Sequence, residues 1–117
     1  MIYFDLNEFD SPDIPGSGEE MKQSTLNLLD ECRAEAGIAF IVTSGYRSEG
    51  HNKKVGGVNG SSHTKGYAVD ISCKSGSDRY KVVKAAIKVG FNRIGVSGNF
   101  IHLDNDPDKT PNVIWTY

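Results

Sequence analysis

The chain has 117 residues, 38% of them hydrophobic and 24% charged, with a formal net charge of -2 at pH 7. That length supports a single domain over residues 1–117 with one buried core, and the slight acidity removes the electrostatic case for nucleic-acid binding. No apolar run is long enough to span a membrane.

The first ten residues, Met-Ile-Tyr-Phe-Asp-Leu-Asn-Glu-Phe-Asp, lack a basic n-region and an apolar h-region, so no Sec-type signal peptide is expected. Residues 1–16 form an arm. Pro12 and Pro15 forbid a regular helix there, and Phe4, Leu6 and Phe9 are expected to pack onto the core. Ser17 followed by Glu20 has capping-box spacing. Met21, Thr25, Leu28, Leu29, Cys32 and Ala36 then recur at three- and four-residue intervals until Gly37, which predicts an amphipathic helix. Ile38 to Thr43 is β-branched and apolar and reads as a buried strand running into the Ser44-Gly45-Tyr46-Arg47-Ser48 turn. A helical turn is expected over 49–54, followed by a glycine- and serine-rich loop over 55–62. Its place directly before His63 makes it a site-forming loop.

Tyr67 to Cys73 alternates, with Tyr67, Val69 and Ile71 on one face and Ala68, Asp70 and Ser72 on the other. Asp78 opens a second helix that ends at Gly90. Its predicted inward side chains are Tyr80, Val83, Ala86 and Ile87; Lys81, Lys84 and Lys88 point to water. Arg93 to Val96 and Phe100 to Asp104 read as a hairpin. Residues 105–117 are a polar tail anchored by Trp115 and Tyr117. Cys32 and Cys73 fit no metal or redox spacing and read as two small unpaired thiols.

His63, Asp70 seven positions later and the distant His102 carry donors that suit zinc. Alternation puts Asp70 and His102 on the polar sides of their strands, so neighbouring strands would project both from one face. Two readings stand at this level: a three-ligand metal set with a position left open for water, or polar side chains hydrogen-bonded at the surface. His51 has no matching partner and reads as a loop residue.

The pattern S-x-H-x-x-G-x-A-x-D, present as Ser61, His63, Gly66, Ala68 and Asp70, resembles that of the M15 metallopeptidases. So do Thr43-Ser44-Gly45-Tyr46-Arg47-Ser48 upstream and Phe100-Ile101-His102-Leu103-Asp104 downstream. That family includes D-alanyl-D-alanine carboxypeptidases and phage L-alanyl-D-glutamate endopeptidases, and the resemblance is strongest to its short, single-domain branch, often found in phage genomes and as bacterial cell-wall hydrolases. It implies an α+β fold with helices packed on a small antiparallel sheet, zinc held by His63, Asp70 and His102, and a peptidoglycan stem peptide as substrate. It also implies that Arg47 stabilises developing negative charge or holds a substrate carboxylate, as a permanently charged planar fork can. Ser61 orders the loop or touches substrate.

Many members of that family carry an acid three residues before the second histidine as general base, whereas this chain has Asn99. Asp104, two residues beyond His102 on the same strand face, is the expected substitute. Its alternative role is to orient a ligand imidazole. The expectation is therefore a monomeric zinc peptidase, made in the cytoplasm and acting at the bacterial cell wall. Its rival is a non-catalytic zinc module that binds wall peptides or a protein partner.

Overall fold

In the computed structural model, which describes residues 1–117, three helices and a five-stranded sheet build an α+β fold. The helices are α1 (Gln23–Ala36), α2 (Glu49–Lys54) and α3 (Gly76–Val89). The strands are β1 (Val42–Ser44), β2 (Ala68–Ser72), β3 (Arg93–Val96), β4 (Phe100–Asp104) and β5 (Val113–Thr116), in the spatial order β1-β2-β4-β3-β5. No helix is long and apolar enough to cross a membrane.

β1 to β4 pair antiparallel, as expected of this fold. The sheet is mixed, however, because β5, taken from what reads as a polar tail, joins β3 in parallel. Val113-Ile114-Trp115-Thr116 is a β-branched and aromatic run of the kind that forms strands, a local signal the reading as a polar tail passes over. What the local run leaves open is its partner, and β3 supplies the backbone hydrogen bonds.

One face of the sheet holds the core. Val69, Ile71, Ile94, Ile101 and Leu103 meet Leu26, Leu29 and Cys32 of α1 and Val82, Ala85 and Ala86 of α3. The inward stripe of α3 differs from the expected one, for Tyr80 is 68% exposed and Ile87 56% exposed. Two apolar stripes are available on this helix. The one that turns inward carries Ala85 and Ala86, whose small side chains let α3 lie close against α1. Lys88 bridges to Glu35 across the outer edge of that contact, at 2.7 Å.

The start of α1 also differs. Ser17 to Glu20 form a 3-10 turn and Met21 is extended, so α1 begins only at Gln23. Ser17 does not cap, because its hydroxyl accepts a hydrogen bond from the Ser11 N–H at 2.8 Å. Gly37 closes the helix in the left-handed conformation, as its position predicts. The first strand is shorter than expected and Ile41 is exposed, since β1 is an edge with one neighbour. Cys32 and Cys73 are buried and unpaired, and burial pushes the Cys32 thiol up to about 12.

In the arm, Phe4 and Phe9 are buried edge to face, with ring centroids 5.7 Å apart, while Leu6 stays exposed. Phe9 lies so close under Gly45 that a Cβ there would sit 2.7 Å from the Phe9 Cα. Its carbonyl accepts from the Tyr46 N–H at 2.9 Å. The arm therefore fixes the backbone that leads to Arg47.

Candidate metal centre

The face of the sheet opposite the helices carries the polar cluster, and strand register explains who meets whom. Ser44 pairs with Asp70, Asp70 with His102, His102 with Gly95, and Gly95 with Trp115. Directly opposed residues share a face, so this row crosses the whole sheet. One step along, Ala68, Asp104, Arg93 and Val113 form a second row.

His63 reaches the row from a 3-10 turn, Ser62–Lys65, capped by Ser61, whose hydroxyl accepts from the His63 N–H at 3.2 Å. Gly66 ends the turn with a positive φ of 79°, and a Cβ there would sit 2.2 Å from the Glu20 carbonyl oxygen. Only glycine fits both demands. Ser61 itself is buried at the cleft wall, with its oxygen spent on the turn.

One donor atom each from His63, Asp70 and His102 lies within 4.8 Å of the others, and all three residues are buried. His63 Nδ1 lies 2.8 Å from the Gly45 carbonyl, which can only accept, so this nitrogen carries the proton. That leaves Nε2 as a bare lone pair, 3.3 Å from Asp70 Oδ1. His102 Nδ1 lies 2.9 Å from the same oxygen, and its Nε2 lies 2.6 Å from Asp104 Oδ2. The second oxygen of Asp70 faces Arg47 Nη2 at 3.3 Å.

Arg47 is held by further bonds from Nε to the Ser44 hydroxyl and from Nη1 to the side-chain Oδ1 of Asn52. Its backbone N–H donates to the His63 carbonyl at 3.1 Å, tying the two segments together.

The electrostatics follow from these contacts. Burial lowers the pKa of His63 and keeps it neutral, the state a metal ligand needs. Burial also works against charge on His102, but bonds to Asp104 and Asp70 outweigh it and raise its pKa. For Asp70 burial pushes upward, and the hydrogen bond from His102 Nδ1 leads the contributions that win, holding the carboxyl well below its usual range.

Asp104 does not stand free beside the cluster. It is 1% exposed, its Oδ2 is on His102, and its Oδ1 lies 2.9 Å from Arg93 Nε and accepts from the Asp106 N–H at 3.1 Å. Asn99 sits exposed in the β3–β4 turn, outside the cleft lining. His51 belongs to α2, and its backbone N–H donates to the Ser48 hydroxyl.

Three contributors escaped the sequence reading. Gly45 gives the carbonyl that fixes the His63 tautomer. Arg93 pairs with Asp104. Asp106, buried at 1% exposure, accepts from Ser62 at 2.7 Å and Lys65 at 3.0 Å, clamping the His63 turn to the exit of β4. The two-residue spacing of His102, Asp104 and Asp106 was the available signal for the last.

The donor set suits a borderline divalent metal. Each histidine points one nitrogen at Asp70 Oδ1 and has the other held by a carbonyl or carboxylate, the outer arrangement that orients metal-bound imidazoles. A cleft of about 370 Å³ opens over the cluster, with Arg47, Ser61 and the Val55–Val58 loop on one side and Phe100, Trp115 and Tyr117 on the other.

A family model described as Peptidase M15 matches residues 7–104, which is most of the chain and includes every residue of the donor set. No curated protein matches the chain.

Proposed function

The chain belongs to the M15 family of metallopeptidases, and from that premise we propose that it is a zinc peptidase that hydrolyses an amide bond in peptidoglycan stem peptides. The observation that carries this reading is the convergence of His63 Nε2, Asp70 Oδ1 and His102 Nδ1, with both remaining ring nitrogens already engaged.

Those three atoms would hold the metal. When bound, zinc polarises the scissile carbonyl and acidifies water at neutral pH. The chain's own residues do the rest. Gly45 and Asp104 lock the two imidazoles in the ligating tautomers. Arg47, on the cleft wall, presents a fixed positive charge where negative charge develops on the substrate carbonyl oxygen. Asp70 and the Ser44 and Asn52 side chains hold that guanidinium in place.

Asp104 was expected as general base. Its engagement by His102, Arg93 and the Asp106 N–H favours the alternative, that it orients His102. The same observation lends weight to the rival reading of a non-catalytic zinc module, since Asp70 and Asp104 are the only carboxylates in the cleft lining.

Digestion decides between them. Purified protein loaded with zinc is incubated with peptidoglycan, with and without a chelator, and products are weighed by mass spectrometry. Chelator-sensitive release of peptide fragments is expected, and their masses name the bond. No product at stoichiometric zinc overturns hydrolysis in favour of binding.

A further inference from the structure

The family match ends at residue 104, yet the cleft does not: Lys109, Trp115 and Tyr117 complete its wall. These residues give the cleft a direction. The two strand-pair registers put Arg93, Asp104 and Val113 at one end, Gly95, His102 and Trp115 in the middle, and Phe100 beyond them. The middle is filled by the indole, 5.3 Å from the His102 ring by centroids, lying across Gly95, where a Cβ would meet it at 2.7 Å. At the far end Phe100 and Tyr117 pack with centroids 5.1 Å apart. The near end is different, because there a loop carries Lys109.

Three cations line the cleft, and two are committed. Arg47 is shared among Asp70, Ser44 and Asn52; Arg93 is shared between Asp104 and the Thr110 carbonyl. Lys109 has no such partner. Its ammonium is nonetheless borne on a fixed loop. Asp106 accepts from the Asp108 N–H at 3.0 Å and from the Lys109 N–H at 3.4 Å, and it is itself pinned by Ser62 and Lys65. On the other side Arg93 Nη1 donates to the Thr110 carbonyl at 2.6 Å. The residues that bracket Lys109 are therefore tied to the same side chains that organise the metal cluster. A fixed loop spares the ordering cost of binding, and a cation without an internal partner spares the cost of breaking an ion pair.

We propose that Lys109 is the carboxylate anchor of this cleft: it binds a carboxylate of an acidic peptide substrate at the Asp104 end, while the Phe100–Tyr117 wall takes the apolar part across the metal cluster. This rests on the peptidase reading of the same site and names its substrate as a peptide with a free carboxylate. A stem pentapeptide, L-alanyl-γ-D-glutamyl-L-lysyl-D-alanyl-D-alanine, offers two, the α-carboxylate of D-glutamate and the C-terminus.

Trp115 is the only tryptophan, so stopped-flow fluorescence at the cleft reports binding directly. Zinc-loaded wild type, Lys109→Met and Lys109→Arg are each mixed with the free pentapeptide, its C-terminal amide and its D-isoglutamine form. The expectation is a roughly tenfold weaker Kd for the free peptide in Lys109→Met, with affinity largely kept in Lys109→Arg. One of the two amides should bind wild type and Lys109→Met alike, and which one does so identifies the carboxylate. The proposal is overturned if Lys109→Met binds the free peptide as wild type does, if it weakens all three peptides by one factor, or if wild type binds none. Product analysis on the same mixtures keeps the two readings apart. Carboxylate-dependent binding without product removes the peptidase reading and leaves Lys109 its role, whereas product formation with an unchanged KM in Lys109→Met does the reverse.

Discussion

The central strands β2 and β4 present two buried faces made from alternate residues, and the contrast between them separates stability from function. On one face Val69, Ile71, Ile101 and Leu103 are fully buried against the helices. On the other, Asp70, His102 and Asp104 are nearly as buried, yet each is held by ion pairs and directed bonds. The first face contributes by removing apolar surface from water. The second gains little from burial, because desolvating these groups offsets much of their mutual attraction. Neighbouring residues of one strand thus answer to different physics.

Substitutions one residue apart test that separation. The largest effect is expected from His102→Ala, which removes a proposed ligand and should bring bound zinc close to zero and abolish hydrolysis, as measured by metal analysis and peptide digestion. Next to it, Leu103→Ala opens a cavity in the helix-covered face and should cost about 3 kcal/mol in urea unfolding, with zinc content per folded molecule unchanged. If both variants lost metal and stability in equal measure, the two faces would not be separable.

A smaller effect sharpens the picture on the polar face alone. Asp104→Asn keeps the side-chain shape while weakening the hold on His102, and should lower zinc affinity about 10- to 100-fold in a competition titration with a chelator. Near-normal affinity with lost turnover would instead restore Asp104 to the role of base.

The smallest effect concerns the clamp behind His63. Burial raises the Asp106 carboxyl, but bonds from Ser62, the Asp108 N–H and Lys65 outweigh it, so its pKa is lowered. Lys65 is raised, chiefly by its bond to Asp106. A depressed acid stabilises above its unfolded value and loses that contribution as pH falls through the folded one. A raised lysine stabilises below its unfolded value and loses it as pH rises through the folded one. The clamp therefore acts between about pH 4 and pH 10. Asp106→Asn should be less stable than wild type by about 1 kcal/mol at pH 7, and the gap should narrow in acid below about pH 4. Urea unfolding at pH 7 and pH 3 measures both, and a gap independent of pH would deny the clamp its charge.

Much of this was readable in advance where the information is local. Alternation in Tyr67 to Cys73 and in Phe100 to Asp104 placed Asp70 and His102 on polar strand faces, because the side-chain period of a strand is two. Gly37 and Gly90 marked helix ends, since both adopt the left-handed conformation that other residues resist. The reading went astray where two local answers were equally good. On α3 the expected stripe of Tyr80, Val83, Ala86 and Ile87 holds at Ala86, while Val82 and Ala85 turn inward in place of Tyr80 and Ile87, a rotation of the buried face that only the approach of α1 selects.

By itself, the sequence determined the fold class, the family and the residue types brought to the site, because period, turn chemistry and motif spacing are properties of a few consecutive residues. Tertiary structure alone decided how those residues are used. It made the tail a parallel edge strand, laid Trp115 over Gly95 beside His102, fixed the His63 tautomer through Gly45, and enclosed Asp104 between His102 and Arg93. Apart from the His102–Asp104 bond within β4, each of those contacts joins different elements of the fold, and a hydrogen bond or close packing contact depends on distance and direction in space, which no local pattern encodes.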